Sequence, residues 1–222
     1  MPPRKSFPKR RKFTKRRNAG VVALRKVNRM AAAIEPKKSN ATTLHVPTNI
    51  SSGGIVIPLT LVAQGTAYNQ RTGLQLVAKS IQMSGRVSMG LTAGVPAQTV
   101  RLIMFYDRQE VAGTSPVLNQ MLDPNTLSTI MAPYSDFNRL HVGRFQVMKS
   151  VRYVLDLNRP TRQFKLRLNF RKLHKCFFDG SGAGNTVRGT VYFAAVSDTN
   201  LPAEGGIQPQ LVSTIQFIYL DD

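Results

Sequence analysis

The chain has 222 residues, of which 42% are apolar, and it carries 31 Lys and Arg against 11 Asp and Glu, a formal net charge of +20. This length and apolar content suffice for a folded domain with its own core. The single cysteine excludes a disulfide framework, and the apolar runs are too short for a membrane-spanning helix.

The first 38 residues carry most of the charge, which predicts a polyanionic partner. They hold 14 Lys and Arg against one acid, a net +13, whereas residues 39–222 contribute +7. Residues 1–17 contain nine basic residues, no acid and three prolines, so they are predicted to be unfolded when free. Residues 21–34 are expected to form a basic helix once neutralised, ending at Pro36. We therefore predict a nucleic-acid-binding arm over residues 1–38, with candidate phosphate contacts at Arg4, Lys5, Lys9, Arg10, Arg11, Lys12, Lys15, Arg16, Arg17, Arg25, Lys26 and Arg29.

Two features of the arm indicate the kind of partner. Phe7 and Phe13 lie among the basic residues, and aromatic rings stack on unpaired bases, which favours a single strand. The basic clusters at residues 9–12 and 15–17 are typical of a nuclear localisation signal, which predicts a nuclear import receptor as a second partner. Because the arm has no sizeable apolar face, a membrane is not predicted as a partner.

Residues 39–54 are expected to be a linker, and residues 55–222 a β-rich body without any long stretch of helical period. Apolar residues alternate with polar ones most clearly from Phe164 to Arg171. We predict eight strands, at residues 55–63, 76–90, 98–107, 143–149, 151–157, 163–173, 187–197 and 210–220. Eight antiparallel strands with uneven loops predict an all-β, two-sheet sandwich, of which the jelly roll is the commonest eight-stranded form.

The connection over residues 108–142 is long for a compact domain, and such segments are usually functional or form interfaces. We expect a short helix near residues 116–121, and we expect the segment to make contacts between subunits.

A second group of basic residues lies around the strand at 163–173 and is expected to form one positive sheet face. A solvated polar face is the alternative. The group comprises Arg159, Arg162, Lys165, Arg167, Arg171, Lys172 and Lys175, of which Lys165, Arg167, Arg171 and Lys172 are the candidate nucleic-acid contacts.

Catalytic and metal-binding chemistry is not predicted. His45, His141 and His174 lie in no recognisable motif and are expected to pack or to face solvent, with His174 as a candidate for the anion-binding surface. Cys176, followed by two phenylalanines, is expected to be a buried structural thiol. Residues 180–184 are expected to form a turn, because no Lys-Ser/Thr pair or helix pattern follows the glycines. We predict no cofactor and leave open a calcium ion at a subunit contact.

Several short segments resemble the coat proteins of small icosahedral viruses. They are Leu61–Gly65, Gln70–Gly73, Ile81–Gly85, Arg101–Gln109, Arg144–Met148 and Gly189–Val196. Together with the arm, they make the chain similar to the capsid proteins of circular single-stranded DNA viruses that encode a replication initiator. The chain also resembles the coat proteins of satellite necrosis viruses, which package RNA. The stretch Met148–Ser150 departs from the family pattern, which often has Leu-x-Asp there.

The resemblance implies a single jelly roll with strands B to I in the order of the eight predicted segments and with sheets BIDG and CHEF. It also implies a T=1 shell of about 60 copies with the arms pointing inward. The chain would then be found in the virion, and in the host nucleus during assembly. DNA is favoured over RNA as cargo by the resemblance alone, because phosphate contacts do not distinguish the two.

Two other functions remain open at this point. A cellular RNA-binding or ribosome-associated protein would share the basic arm but would not assemble into a particle. An enzyme on a β-sandwich would need clustered carboxylates or histidines, which the sequence does not supply.

Overall fold

Nine strands form two antiparallel sheets in the computed structural model, which describes residues 36–90, 97–110, 114–123, 132–182, 186–199 and 208–221. In chain order the strands are β1 (Lys37–Asn49), β2 (Ile55–Pro58), β3 (Gln75–Ser88), β4 (Ala97–Asp107), β5 (Phe145–Asp156), β6 (Thr161–Phe178), β7 (Thr186–Arg188), β8 (Val191–Ser197) and β9 (Gln210–Asp221). A helix α1 (Leu118–Met121) and two 3₁₀ turns (Ala132–Tyr134 and Arg139–His141) lie between β4 and β5.

The strand order confirms the jelly-roll prediction. The first sheet has the order β1-β9-β3-β6-β7 and the second has the order β2-β8-β4-β5. With β7 taken as a short addition beside β6, the remaining eight strands in chain order occupy the positions B to I, so the sheets are BIDG and CHEF.

Two corrections concern the predicted segments before strand G. The segment expected to be a linker, residues 39–54, is largely strand β1, which pairs with β9 from Lys37 opposite Tyr219 to Asn49 opposite Gln210. The strands predicted at 143–149 and 151–157 are one continuous strand, β5. These two differences cancel in the count, but the labels of the first four predicted segments each move by one: the segment at 55–63, expected to be strand B, contributes strand C, and the segment at 143–149, expected to be strand E, is part of strand F.

The main core lies between the two sheets. Its fully buried side chains include Ile81 and Met83 on β3, Leu102 on β4, Phe193 on β8 and Phe217 on β9. On β6 the predicted alternation is confirmed, since Phe164 and Leu166 are buried while the intervening Lys165 and Arg167 are exposed.

A second core covers the opposite face of the CHEF sheet. Ile103 and Phe105 on β4 and Tyr192 on β8 point away from the main core and pack against Leu118 and Met121 of α1. The predicted short helix is therefore present at Leu118–Met121, and part of the long connection covers its own subunit's sheet.

Residues 187–197, predicted as one strand, are divided at Gly189. Here the chain leaves the BIDG sheet, where β7 pairs with β6, and enters the CHEF sheet as β8. Gly189 has φ +97°, and a Cβ atom at this position would lie 2.2 Å from the carbonyl oxygen of Lys175. Only glycine fits this crossing without strain.

We expect Gly189→Ala to lower the free energy of unfolding by about 1–3 kcal/mol, because alanine at this φ is strained and its methyl group meets backbone atoms. Urea denaturation followed by circular dichroism measures the effect. Gly143→Ala is the matched control, because a Cβ there meets no atom within 4 Å. Equal denaturation midpoints for the two variants would show that the crossing tolerates a side chain.

Arg71 ties together two loops at one end of the sandwich. Its side chain is fully buried, and its guanidinium donates hydrogen bonds to the backbone carbonyls of Val62, Gly73 and Gly180. It also lies 4.2 Å from the centre of the Phe178 ring. Burial lowers the pKa of Arg71 from its ordinary value. The loop before β3 and the turn after β6 are thus held by one side chain.

Candidate nucleic-acid interface

The two sheets differ sharply in charge. The five strands of the BIDG sheet contain 11 Lys and Arg and one acid, Asp221, whereas the four strands of the CHEF sheet contain three basic residues and two acids. An excess of one sign on one sheet creates a local potential that attracts ions of the opposite sign. The candidate interface is therefore on the BIDG sheet.

Three of the four predicted contacts on β6 lie on its solvent-facing side. Lys165, Arg167 and Arg171 are exposed and alternate with the core residues of the strand. Lys172 belongs to β6, but its side chain lies outside the described part of the structure. Arg162, expected on the same face, lies opposite Val87 and is half-buried, because its position has the same parity as Phe164.

Arg86 extends this face onto β3, and sequence reasoning missed it. It is exposed and pairs with Gln163 of β6 and Val212 of β9. The sequence contained a signal for its exposure, because Arg86 lies three residues after the core residue Met83 and so faces the opposite side of the strand. The strand pairing that brings Arg86 beside β6 cannot be predicted from the sequence. We call Arg86, Lys165, Arg167 and Arg171 the basic face.

Acidic side chains do not neutralise the basic face in the described part of the chain. The ion pairs there are Lys37 with Asp221, at 2.8 Å, and Arg144 with Asp107, at 2.8 Å. Arg167 instead donates to the amide oxygen of Asn169 at 3.1 Å. The cations of the basic face are thus free of bound carboxylates and available to an external anion.

Asp221 holds the first residue of β1, Lys37, where the chain enters the BIDG sheet. Its Oδ2 accepts hydrogen bonds from Lys37 Nζ at 2.8 Å and from the backbone N–H of Thr72 at 2.7 Å. Lys37 also donates to the carbonyl of Gln70 at 3.0 Å. Burial alone would raise the pKa of Asp221, but the hydrogen bonds from Lys37 and Thr72 outweigh it and hold this pKa below the ordinary value. The carboxylate therefore stays ionised and anchors the root of the arm.

His174 does not belong to the basic face. Its Nε2 lies 2.8 Å from the carbonyl oxygen of Gly189, and its ring stacks on Phe170 with centroids 4.7 Å apart. Burial lowers the pKa of His174, which favours the neutral ring. The side chain is a packing residue that joins β6 to the crossing at Gly189.

Cys176 is buried, as predicted for a structural thiol. Its Sγ lies 3.1 Å from the carbonyl oxygen of Gly189, and burial raises its pKa to about 12. A thiol with so high a pKa is a poor nucleophile at neutral pH.

The predicted contacts of the arm, from Arg4 to Arg29, lie outside the described residues. Within the described ranges, no group of three or more His, Cys, Asp or Glu side chains is placed to hold a metal ion. The helices described there are all too short to cross a bilayer.

Comparisons with known proteins connect this arrangement to viral shells. The family model of the satellite tobacco necrosis virus coat protein matches residues 8–221. No curated protein matches the chain. Similar solved structures include Desmodium yellow mottle tymovirus, at 11% identity over 84% of this chain and 86% of that chain, with a TM-score of 0.38. They also include the heated full particle of Israeli acute paralysis virus, at 14% identity over 86% and 68%, with a TM-score of 0.35.

Proposed function

The chain belongs to the satellite tobacco necrosis virus coat protein family, and from this premise we propose that about 60 copies close into a T=1 icosahedral shell around a single-stranded genome. Membership of the family makes the chain a viral capsid protein, a structural rather than enzymatic component of the virion that assembles with copies of itself.

The unequal charge of the two sheets is the observation that carries the orientation in this proposal. The outer face of the CHEF sheet is apolar and is covered by α1 and its neighbours, whereas the BIDG sheet presents the basic face to solvent. The root of the arm, Lys37, lies in the same BIDG sheet. We therefore place the BIDG sheet toward the enclosed genome and the covered CHEF sheet away from it.

The arm supplies the charge that packaging requires. At +13 for residues 1–38, about 60 copies bring roughly 780 positive charges, which would neutralise a comparable number of phosphates. Such contacts release counterions and need no fixed fold, which fits a segment so rich in basic residues and proline.

We propose DNA as the cargo, in a circular single-stranded genome. The support is the resemblance of the six short segments and the arm to capsid proteins of viruses that encode a replication initiator. The basic clusters at 9–12 and 15–17 would then serve a second purpose, as a signal read by a nuclear import receptor before assembly.

Expression of the full chain, followed by electron microscopy and sizing, tests the shell. We expect particles of megadalton mass that protect nucleic acid from added nuclease, and a monomer at all concentrations would contradict the proposal. Digestion of the extracted nucleic acid then tests the cargo. Sensitivity to DNase supports DNA, while sensitivity to RNase alone would replace DNA by RNA and leave the shell in place.

A further inference from the structure

We propose that the solvent-facing side of the BIDG sheet, which the proposed orientation turns toward the genome, binds a stretch of single-stranded nucleic acid. One nucleotide of this stretch would lie in a groove beside Arg86. This inference rests on the proposed function and deepens it, because it assigns a defined contact on the folded body in addition to the arm.

The groove lies where three strands meet. It has a volume of about 330 Å³ and is lined by Ser84, Gly85 and Arg86 on β3, by Gln163 on β6 and by residues 212–214 on β9. The groove is shallow and open to solvent.

The side chains around the groove are arranged in cross-strand rows. Each row places one residue of β9, one of β3 and one of β6 side by side, and the three rows are Val212–Arg86–Gln163, Thr214–Ser84–Lys165 and Gln216–Gln82–Arg167. Successive rows are about 6.8 Å apart, because residues i and i+2 of a strand are separated by two rises of about 3.4 Å. Each row contributes one cation and no acid.

This pattern suits an extended single strand in particular. One cation per row can follow successive phosphates, while the amides of Gln163, Gln82 and Gln216 offer donors and acceptors to exposed base edges. Ser84 and Thr214 are short, and Val212 supplies an apolar surface, so a flat base can lie against the sheet. A duplex keeps its bases stacked inside and has none to insert.

Charge also separates this occupant from the arm itself. Residues 1–38 carry +13 and the basic face is positive, so the two repel one another unless an anion lies between them. A nucleic-acid strand is attracted both by the arm and by the basic face. We therefore assign the genome as the occupant of this face.

The test compares two variants of the full chain that lose the same charge. One carries Arg86→Gln, Lys165→Gln and Arg167→Gln; the control carries Arg108→Gln, Arg139→Gln and Arg152→Gln, which are exposed and lie away from this face. Fluorescence anisotropy of an oligothymidine against salt concentration gives the number of phosphate contacts. The slope of the logarithm of the association constant against the logarithm of the salt concentration is negative. We expect its magnitude to decrease by about 2 in the first variant, because each phosphate contact on a single strand contributes about 0.7. The control should keep the wild-type slope.

Arg86→Gln alone should lower the slope by about 0.7, and an oligonucleotide carrying 4-thiothymidine should cross-link to peptides of β3 and β9 at the groove. Equal slopes for the triple variant and its control, or cross-links confined to the arm, would overturn the inference while leaving packaging by the arm intact. If the wild-type chain neither assembles nor binds the oligonucleotide, the proposed function itself fails.

Discussion

Removal of residues 1–35 is expected to reduce packaging of the genome strongly while leaving the two-sheet body folded. The deletion takes away 12 Lys and Arg but ends before Lys37, so β1 and its pairing with β9 are kept. Because each lost phosphate contact also loses its counterion release, we expect roughly a tenfold or greater fall in protected nucleic acid per particle. The ratio of nucleic-acid to protein absorbance in purified particles measures the amount packaged. The amount of nucleic acid that survives added nuclease measures how much of it is protected.

Two further variants serve as controls for the deletion of residues 1–35. A shuffled arm with the same composition should package normally, because phosphate contacts carry no sequence information. A deletion of residues 1–54, the predicted arm and the predicted linker together, removes β1 and exposes the edge of β9, so that chain should be unstable or aggregate. Particles of the 1–35 deletion that hold a normal load of nucleic acid would show that the arm is not the packaging element.

Replacement of Arg71 by Met is expected to lower the free energy of unfolding by about 3 kcal/mol or more, because buried carbonyls lose a charged donor. Arg71→Lys should also be destabilised, since one ammonium group cannot reach carbonyls spread around a planar guanidinium. Urea denaturation followed by circular dichroism is the suitable measurement, as the chain has no tryptophan.

Arg139→Met is the matched control for this effect, because Arg139 is exposed in a 3₁₀ turn and its loss should change stability by about 0.5 kcal/mol or less. If Arg71→Met has the same denaturation midpoint as Arg139→Met, the hydrogen bonds of the buried guanidinium do not hold the loops together.

The sequence could predict the sheets but not every strand within them. Alternation predicted β6 well, because Phe164 and Leu166 face a core and Lys165 and Arg167 face water. Strand β1 was missed because its residues, KKSNATTLHVPTN, show little alternation and its place is set by hydrogen bonds to β9. A partner strand that lies 161 to 182 residues further along the chain leaves no local signal.

The other misassignments have similar causes. Lys149 and Ser150 interrupt the apolar pattern of β5, and its pairing with β4 shifts register just before them, between Val147 and Lys149, so one strand resembled two. The strand expected at 187–197 retains its alternation across Gly189, although the backbone changes sheets there.

The charged residues of the candidate site could be predicted from the sequence where they lie on a single strand. Lys165, Arg167 and Arg171 follow from the period of one strand, and the structure places all three on the solvent side. Arg86 required knowledge that β3 lies beside β6, and Arg71, within a segment noted only for its resemblance, required knowledge of the carbonyls around it.

The first and last strands of the fold run antiparallel to one another as neighbours, and Lys37 is held by Asp221 at 2.8 Å. Both ends of the folded body therefore leave it at one place, the root of the arm. In the proposed orientation, a protein fused behind Asp222 would be delivered to the lumen together with the arm, whereas a peptide inserted at the exposed Gly143 would not share that exit. In the proposed shell, fusion of a protein beyond β9 would therefore select what the particle carries.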